Sequence, residues 1–170
     1  LTFREVLSKS SNVGTIKLGL RLGNAKLYDY IRRFGFGQKT NIDLPGEQVG
    51  LLRPPSQWSR ISIGAISIGQ ELGATPLQVL RAISTIANGG LLIEPRIVRR
   101  ILTPQGEVLY APKPESRHIL LSRRTINQMK AAFSQVVLEG TGKKAKLEGY
   151  SSGGKTGTAQ VKRITEAERK

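Results

Sequence analysis

The sequence predicts an α+β chain in which helices predominate. Two observations carry this reading. Several segments repeat apolar residues at helical spacing between recognisable start and stop residues, and one turn signal joins two short runs with strand character. At the start, Thr2 and Glu5 have the capping-box spacing ahead of Val6 and Leu7, which opens a helix. The polar run Ser8-Lys9-Ser10-Ser11-Asn12 separates it from a second apolar run through Ile16, Leu18 and Leu20. Asn24 is placed to cap a third helix, whose Leu27, Tyr30, Ile31 and Phe34 follow i, i+3, i+4, i+7, with Gly35 positioned to end it in a left-handed conformation.

From Gly37 to Pro55 the pattern is that of a loop, with Pro45-Gly46 as a turn and Arg53-Pro54-Pro55 as an extended stop. Thr75-Pro76 opens the next helix. Leu77, Leu80, Ile83 and Ala87 line one face of it, and Asn88-Gly89-Gly90 closes it. Arg96 to Leu102 and Glu107 to Tyr110 read as a hairpin turning through Thr103-Pro104-Gln105-Gly106. Ser122 caps a further helix with the stripe Ile126, Met129, Phe133, Val136 and Val137, ending near Gly140. The last stretch is glycine-rich, and Lys155 to Val161 has strand character. There is no internal repeat and no low-complexity tract.

Composition narrows the chemistry. The 170 residues suffice for one ordinary domain with its own core. With no Cys and one His, a structural zinc site, a haem-attachment motif and a thiol nucleophile are excluded, and no cofactor or metal is expected. Apolar stretches such as Ile61 to Ile68 fall short of the ~20 residues a spanning helix needs. The sequence begins at Leu1 and its sole methionine is Met129, so it reads as a piece of something longer. The net charge of +15 suggests nucleic acid, but each successive fifty residues carries the same surplus of four basic groups. Four Phe, four Tyr and one Trp supply few stacking platforms. The excess reads as a solvated basic surface, with attraction to an anionic polymer or membrane surface as a secondary possibility.

Two overlapping motifs lie near the C-terminal end. Gly149-Tyr150-Ser151-Ser152-Gly153-Gly154-Lys155-Thr156 satisfies the phosphate-loop pattern G-x-x-x-x-G-K-T. That loop works only between a buried strand and a helix, so that backbone N–H groups meet the phosphates. Here Gly142 to Glu148 is too polar for the strand, and Gly157 to Val161 is poor in helix formers. The same residues give Lys155-Thr156-Gly157 followed by Thr158 and Ala159. Together with Ser10-x-Asn12, these are two of the three motifs of active-site-serine acyl transferases acting on D-alanyl peptides and β-lactams. Glycine on a strand edge admits substrate backbone, while the Lys155 ammonium and the Thr158 hydroxyl suit a carboxylate. A loop serine can relay a proton to a leaving amine, and an asparagine two residues on can hold an amide carbonyl.

At these residues the chain resembles the transpeptidase domain of class B penicillin-binding proteins, the cell-wall synthases of division and elongation. The match extends in order through Ser10-Ser11-Asn12-Val13, Phe34-Gly35-Phe36-Gly37, Asp43-Leu44-Pro45-Gly46-Glu47, Ile68-Gly69-Gln70-Glu71, Thr75-Pro76-Leu77-Gln78, Ala87-Asn88-Gly89-Gly90 and Gly154 to Gln160. It covers residues 1–161, read as a partial transpeptidase domain, with 162–170 as a polar tail. The fold implied is that of penicillin-binding transpeptidases and serine β-lactamases. In it an antiparallel sheet lies between helical layers, Ser10 to Asn12 sit on a loop of the helical part and Lys155 to Thr158 on the inner edge strand. The family's nucleophile is the serine of a Ser-x-x-Lys motif upstream of Ser10, so none is expected in this chain. Ser152-x-x-Lys155 fits the spacing, but its lysine is already that of the Lys-Thr-Gly motif. The family's last strands are likewise expected beyond Gln160, so the domain reads as truncated at both ends.

What the resemblance implies is a peptidoglycan D,D-transpeptidase that binds penicillin. Its serine would be acylated by the penultimate D-alanine of a stem peptide and the acyl group passed to an amine of a neighbouring stem. Ser10 would shuttle a proton, Asn12 orient the substrate amide, Lys155 supply positive potential and hydrogen-bond Ser10, and Thr158 grip the donor carboxylate. Thr156 and Gly157 would complete the substrate-binding edge, and the Thr158 N–H would share the oxyanion hole. Partners implied are stem peptides, β-lactams and a glycosyltransferase, not nucleic acid. The location implied is the outer face of the bacterial cytoplasmic membrane, held by an anchor outside this chain. The alternatives are a phosphate-loop nucleotide-binding fragment, from Gly149 to Thr156, and a non-enzymatic basic module for an anionic polymer. His118 and Trp58 read as surface and packing residues, and Asp43, Glu47 and Glu71 as structural.

Overall fold

The computed structural model describes residues 1–159. Five helices carry the fold: α1 (Phe3–Ser8), α2 (Asn12–Arg33), α3 (Ser62–Ser67), α4 (Pro76–Ala87) and α5 (Arg123–Leu138). Four short strands, β1 (Leu91–Ile93), β2 (Ile101–Leu102), β3 (Val108–Tyr110) and β4 (Ser116–His118), form two antiparallel pairs, β1 with β4 and β2 with β3. The chain is thus α+β with helices in the majority, as its spacing predicts.

The caps act where the sequence places them. Thr2 and Glu5 close a full capping box on α1, Thr75 and Gln78 do the same on α4, and Ser122 accepts from the Thr125 N–H at the start of α5. The second and third predicted helices run together as α2, broken at Gly23, whose φ of 77° and ψ of 163° no helix contains. The break falls one residue before the expected cap at Asn24. Gly35 is left-handed (φ 91°) beyond the helix end.

The core lies where α4, β1 and α5 meet, with α1 packed against α5 and α3 against α2. Leu92, Ile126, Val136 and Val137 are buried almost completely. Each such side chain contributes about 1.5–3 kcal/mol through the area it removes from water.

Three expectations need correction. The stripe of α4 is rotated from the predicted one: Gln78, Ala82, Thr85 and Ile86 are inside, while Leu80 and Ile83 are exposed. The helix has one broad apolar side, but its buried face lies at the border of that side with the polar one, where Gln78 and Thr85 sit. The choice is made by the Gln78 side chain, which donates to the Gln38 and Val49 carbonyls (2.7 and 3.0 Å) and accepts from the Thr75 N–H (3.0 Å). The strand predicted at Arg96 to Leu102 shortens to Ile101–Leu102, because only these residues find partners across the hairpin, with an irregular register. The strand expected from Lys155 is not formed in the described residues: 155–159 are extended without a pairing partner, since both strand pairs lie elsewhere. The single sheet between helical layers is accordingly represented by two small pairs. Gln160, Val161 and the predicted tail at 162–170 lie outside the described residues.

Residues 37–55 form a loop, as predicted, and it is tied down by carboxylates. Glu47 accepts from the Thr40 N–H and hydroxyl (2.6 and 2.5 Å) and from the Asn41 N–H (3.1 Å), and Asp43 accepts from the Ile97 and Val98 N–H groups (2.9 and 3.3 Å). These bonds hold both carboxyls below their usual pKa, and neither residue lines the cleft described below. Replacing Gln78 by Leu keeps the volume but leaves the Gln38 and Val49 carbonyls and the Thr75 N–H without their side-chain partner. This substitution is expected to cost about 2–4 kcal/mol in urea unfolding, against less than about 0.5 kcal/mol for Leu80→Ala on the exposed face.

Candidate active site

The site begins with a short polar turn. Helix α1 ends at Lys9, Ser10 turns the chain with a left-handed φ of 51°, and Ser11 caps α2 by accepting from the Gly14 N–H at 3.2 Å. A non-glycine residue in this conformation costs roughly 1–2 kcal/mol. The turn is stabilised by the Ser10 and Ser11 N–H groups, which donate to the Leu7 and Val6 carbonyls (3.2 and 2.9 Å). Ser10 is thereby lifted off the helix ends, and Asn12 follows as the first residue of α2.

The second component is the glycine-rich segment. Gly153 packs on Phe133 and Ser134 of α5, with room for no more than a tight Cβ contact of 3.3 Å, and the Gly154 N–H donates to the Phe133 carbonyl at 3.1 Å. This lays Lys155 to Thr158 across the Ser10 turn. The Lys155 ammonium donates to Ser10 Oγ at 2.7 Å and to the Thr156 carbonyl at 2.9 Å, with Thr156 Oγ1 at 3.4 Å. Residues 145 positions apart thus share a hydrogen bond.

Around this bond lies a cleft of about 720 Å³, lined by Leu7, Ser10, Asn12 and Thr15, by Ser67 to Gln70 at the end of α3, and by Lys155 to Thr158. All six site residues taken from the sequence, Ser10, Asn12, Lys155, Thr156, Gly157 and Thr158, line it. Among the described residues no carboxylate lines it, so none of them neutralises the Lys155 charge there. Partial desolvation by the cleft walls lowers the Lys155 pKa below the ordinary lysine range. The arrangement can offer a cation and hydroxyls to an anion, and a hydroxyl already polarised by an ammonium to a departing amine.

A profile of the penicillin binding protein transpeptidase domain matches residues 1–169. This chain belongs to the penicillin-binding protein transpeptidase family. Penicillin-binding protein PbpB of Mycolicibacterium smegmatis is 43% identical over 162 residues, which span 91% of this chain and 25% of the relative. The peptidoglycan D,D-transpeptidase FtsI of Escherichia coli K12 is 38% identical over 161 residues, 94% of this chain and 26% of the relative. Among solved structures, penicillin-binding protein 3 of Mycobacterium tuberculosis in complex with aztreonam superposes with a TM-score of 0.88 at 38% identity, covering 98% of this chain and 38% of that one. These relatives place the chain with the class B transpeptidases and their penicillin-binding fold. The chain spans about a quarter of the length of the curated relatives it matches.

The other sequence candidates fall away from the cleft. Trp58 packs edge-on against Tyr28, centroids 6.2 Å apart, and its indole N–H donates to the Arg53 carbonyl at 2.8 Å. Glu71, left-handed at φ 56°, accepts from Arg53 and from Ser62 Oγ, both at 2.7 Å, so its carboxylate is spent on structure. His118 pairs with Leu91 across β1 and β4 and is exposed. The phosphate-loop reading fails on context: Lys143–Ala145 is a 3-10 turn, no strand enters the motif, and no helix follows it through Ala159. Sequence reasoning missed Thr141, the residue after the predicted helix end near Gly140. Its Oγ1 lies 2.8 Å from Thr156 Oγ1.

Competitive acetylation followed across pH is expected to give Lys155 a midpoint below the ordinary 10.5. The folded state then sheds this proton before the unfolded state does, so the residue's contribution to stability improves as pH rises between the two values. A midpoint at or above 10.5 contradicts the desolvation.

Proposed function

We propose that this chain supplies the Ser-x-Asn and Lys-Thr-Gly walls of a peptidoglycan D,D-transpeptidase active site. The observation that carries the reading is the 2.7 Å bond from Lys155 to Ser10 inside a cleft lined by both motifs. The family and the names of its relatives support it, as does a cleft whose one cation suits the terminal carboxylate of a D-alanyl donor.

In the first step the nucleophilic serine, supplied by sequence outside these 170 residues, bonds to the carbonyl carbon of the penultimate D-alanine. The C–N bond to the terminal D-alanine breaks. Its nitrogen leaves as an amine after taking a proton through Ser10, whose hydroxyl the Lys155 ammonium polarises. In the second step an amine of a neighbouring stem attacks the ester, forming the cross-link and returning the proton to the serine. Asn12 holds the substrate amide, Thr156 and Thr158 receive the donor carboxylate, and the Thr158 N–H faces the developing oxyanion. Gly157, without a side chain, lets the substrate backbone lie against the segment. A β-lactam enters as a donor mimic whose leaving group stays attached. Such an enzyme works on the outer face of the cytoplasmic membrane beside a glycosyltransferase that supplies its glycan strands.

The test is mass spectrometry of the whole protein with a reporter penicillin. The wild type is expected to gain one penicilloyl mass, on a serine outside residues 1–170. Lys155→Ala is expected to slow that gain by about 10²–10³-fold, the scale of losing one electrostatic stabiliser. Label on Ser10 or Ser152, or unchanged kinetics in Lys155→Ala, overturns the assignment of roles; absence of any label overturns the transpeptidase reading.

A further inference from the structure

We propose that Thr141 is a positioning residue of this site, a clasp that holds the Ser10 turn and the Lys155–Thr156 segment at hydrogen-bonding distance from each other. The inference rests on the transpeptidase reading above.

The turn that ends α5 is built unequally. The N–H groups of Gly140 and Gly142 both fold back to carbonyls of α5, Gly140 to Gln135 and Val136 and Gly142 to Val136. The Thr141 N–H between them turns outward and donates to the Ser8 carbonyl at 3.1 Å. That approach requires glycine at 140, where a Cβ would stand 2.4 Å from the Ser8 oxygen and 2.9 Å from the Val136 oxygen. The backbone of Thr141 therefore grips the residue two before Ser10, and its side chain reaches the other wall. Thr141 Oγ1 lies 2.8 Å from Thr156 Oγ1, and the Thr156 carbonyl and hydroxyl are two of the three oxygens around the Lys155 ammonium.

Besides Lys155, which belongs to one wall and bonds Ser10 directly, Thr141 is the residue among those described that hydrogen-bonds both walls. The remaining ties of the glycine-rich segment, Gly154 to Phe133 and Ser152 to the Ala145 carbonyl, lead to α5 and the 3-10 turn that follows it. Thr141 does not line the cleft and touches neither Ser10 nor the Lys155 ammonium, so it acts through Thr156 and Ser8. Its hydroxyl fixes where the segment sits, and the segment fixes the ammonium.

The experiment uses the whole protein with Thr141→Val, which removes the hydroxyl and keeps the shape, and Thr141→Ser, which keeps the hydroxyl. Two readouts are taken: reporter-penicillin acylation resolved into binding and acylation constants, and the acetylation rate of Lys155 relative to the exposed Lys143. Thr141→Val is expected to lower the acylation constant about tenfold, the loss of one hydrogen bond, with binding changed by less than about twofold. The Lys155 acetylation ratio is expected to rise severalfold as the ammonium loosens, and Thr141→Ser to restore both. Wild-type values in Thr141→Val, or a Thr141→Ser variant as impaired as Thr141→Val, overturn the clasp. If the wild type takes no penicilloyl mass, the transpeptidase reading falls, and the acetylation ratio then decides the clasp by itself: raised in Thr141→Val supports it, unchanged overturns it.

Discussion

Everything at this site depends on one distance, set by the packing of two helices. Two loops 145 residues apart must meet within a hydrogen bond, and neither has enough regular structure of its own to guarantee it. The guarantee comes from α1 lying against α5. That contact places the end of α1, and with it the Ser10 turn, beside the end of α5, from which the glycine-rich segment is hung. Val6 on α1 and Val136 and Val137 on α5 are among the buried apolar residues of these two helices.

How much of this was legible in the sequence follows from which forces are local. Caps are local, and Thr2, Thr75 and Ser122 announced three helix starts that the structure reproduces. The stripe of α5 was legible because one side of that helix is apolar and the other charged. On α4 the same arithmetic chose the wrong face, since the buried side takes in the polar Thr85 and Gln78, and the decision belongs to Gln78, whose partners lie 29 and 40 positions away. No periodicity argument weighs a glutamine against two distant carbonyls. The strand at Lys155 failed for a related reason: strand character is a property of a segment, whereas a strand is a property of a pair.

The motif residues were legible as types and spacings, and the structure gathers them around one cleft. Thr141 was not, because a threonine between two glycines after a helix carries no signal beyond termination. Its two bonds depend on where Ser8 and Thr156 end up, which only the assembled fold decides. Strain was equally hidden. The left-handed Ser10 and Glu71 both sit at polar junctions whose geometry is imposed by neighbours, and nothing in a serine or a glutamate foretells it.

The absence of carboxylates from the cleft lining has a consequence for how a ligand finds it. The basic surplus is spread evenly along the sequence, so the field of its net positive charge singles out no segment. At physiological salt that field fades within about 8 Å. Only inside that shell does the Lys155 ammonium become distinguishable from its surroundings, and there, among the described residues, no acid of the cleft lining competes with an arriving anion for its protons. Recognition here is short-sighted: the surface gathers anions indiscriminately, and selection is left to the last few ångströms.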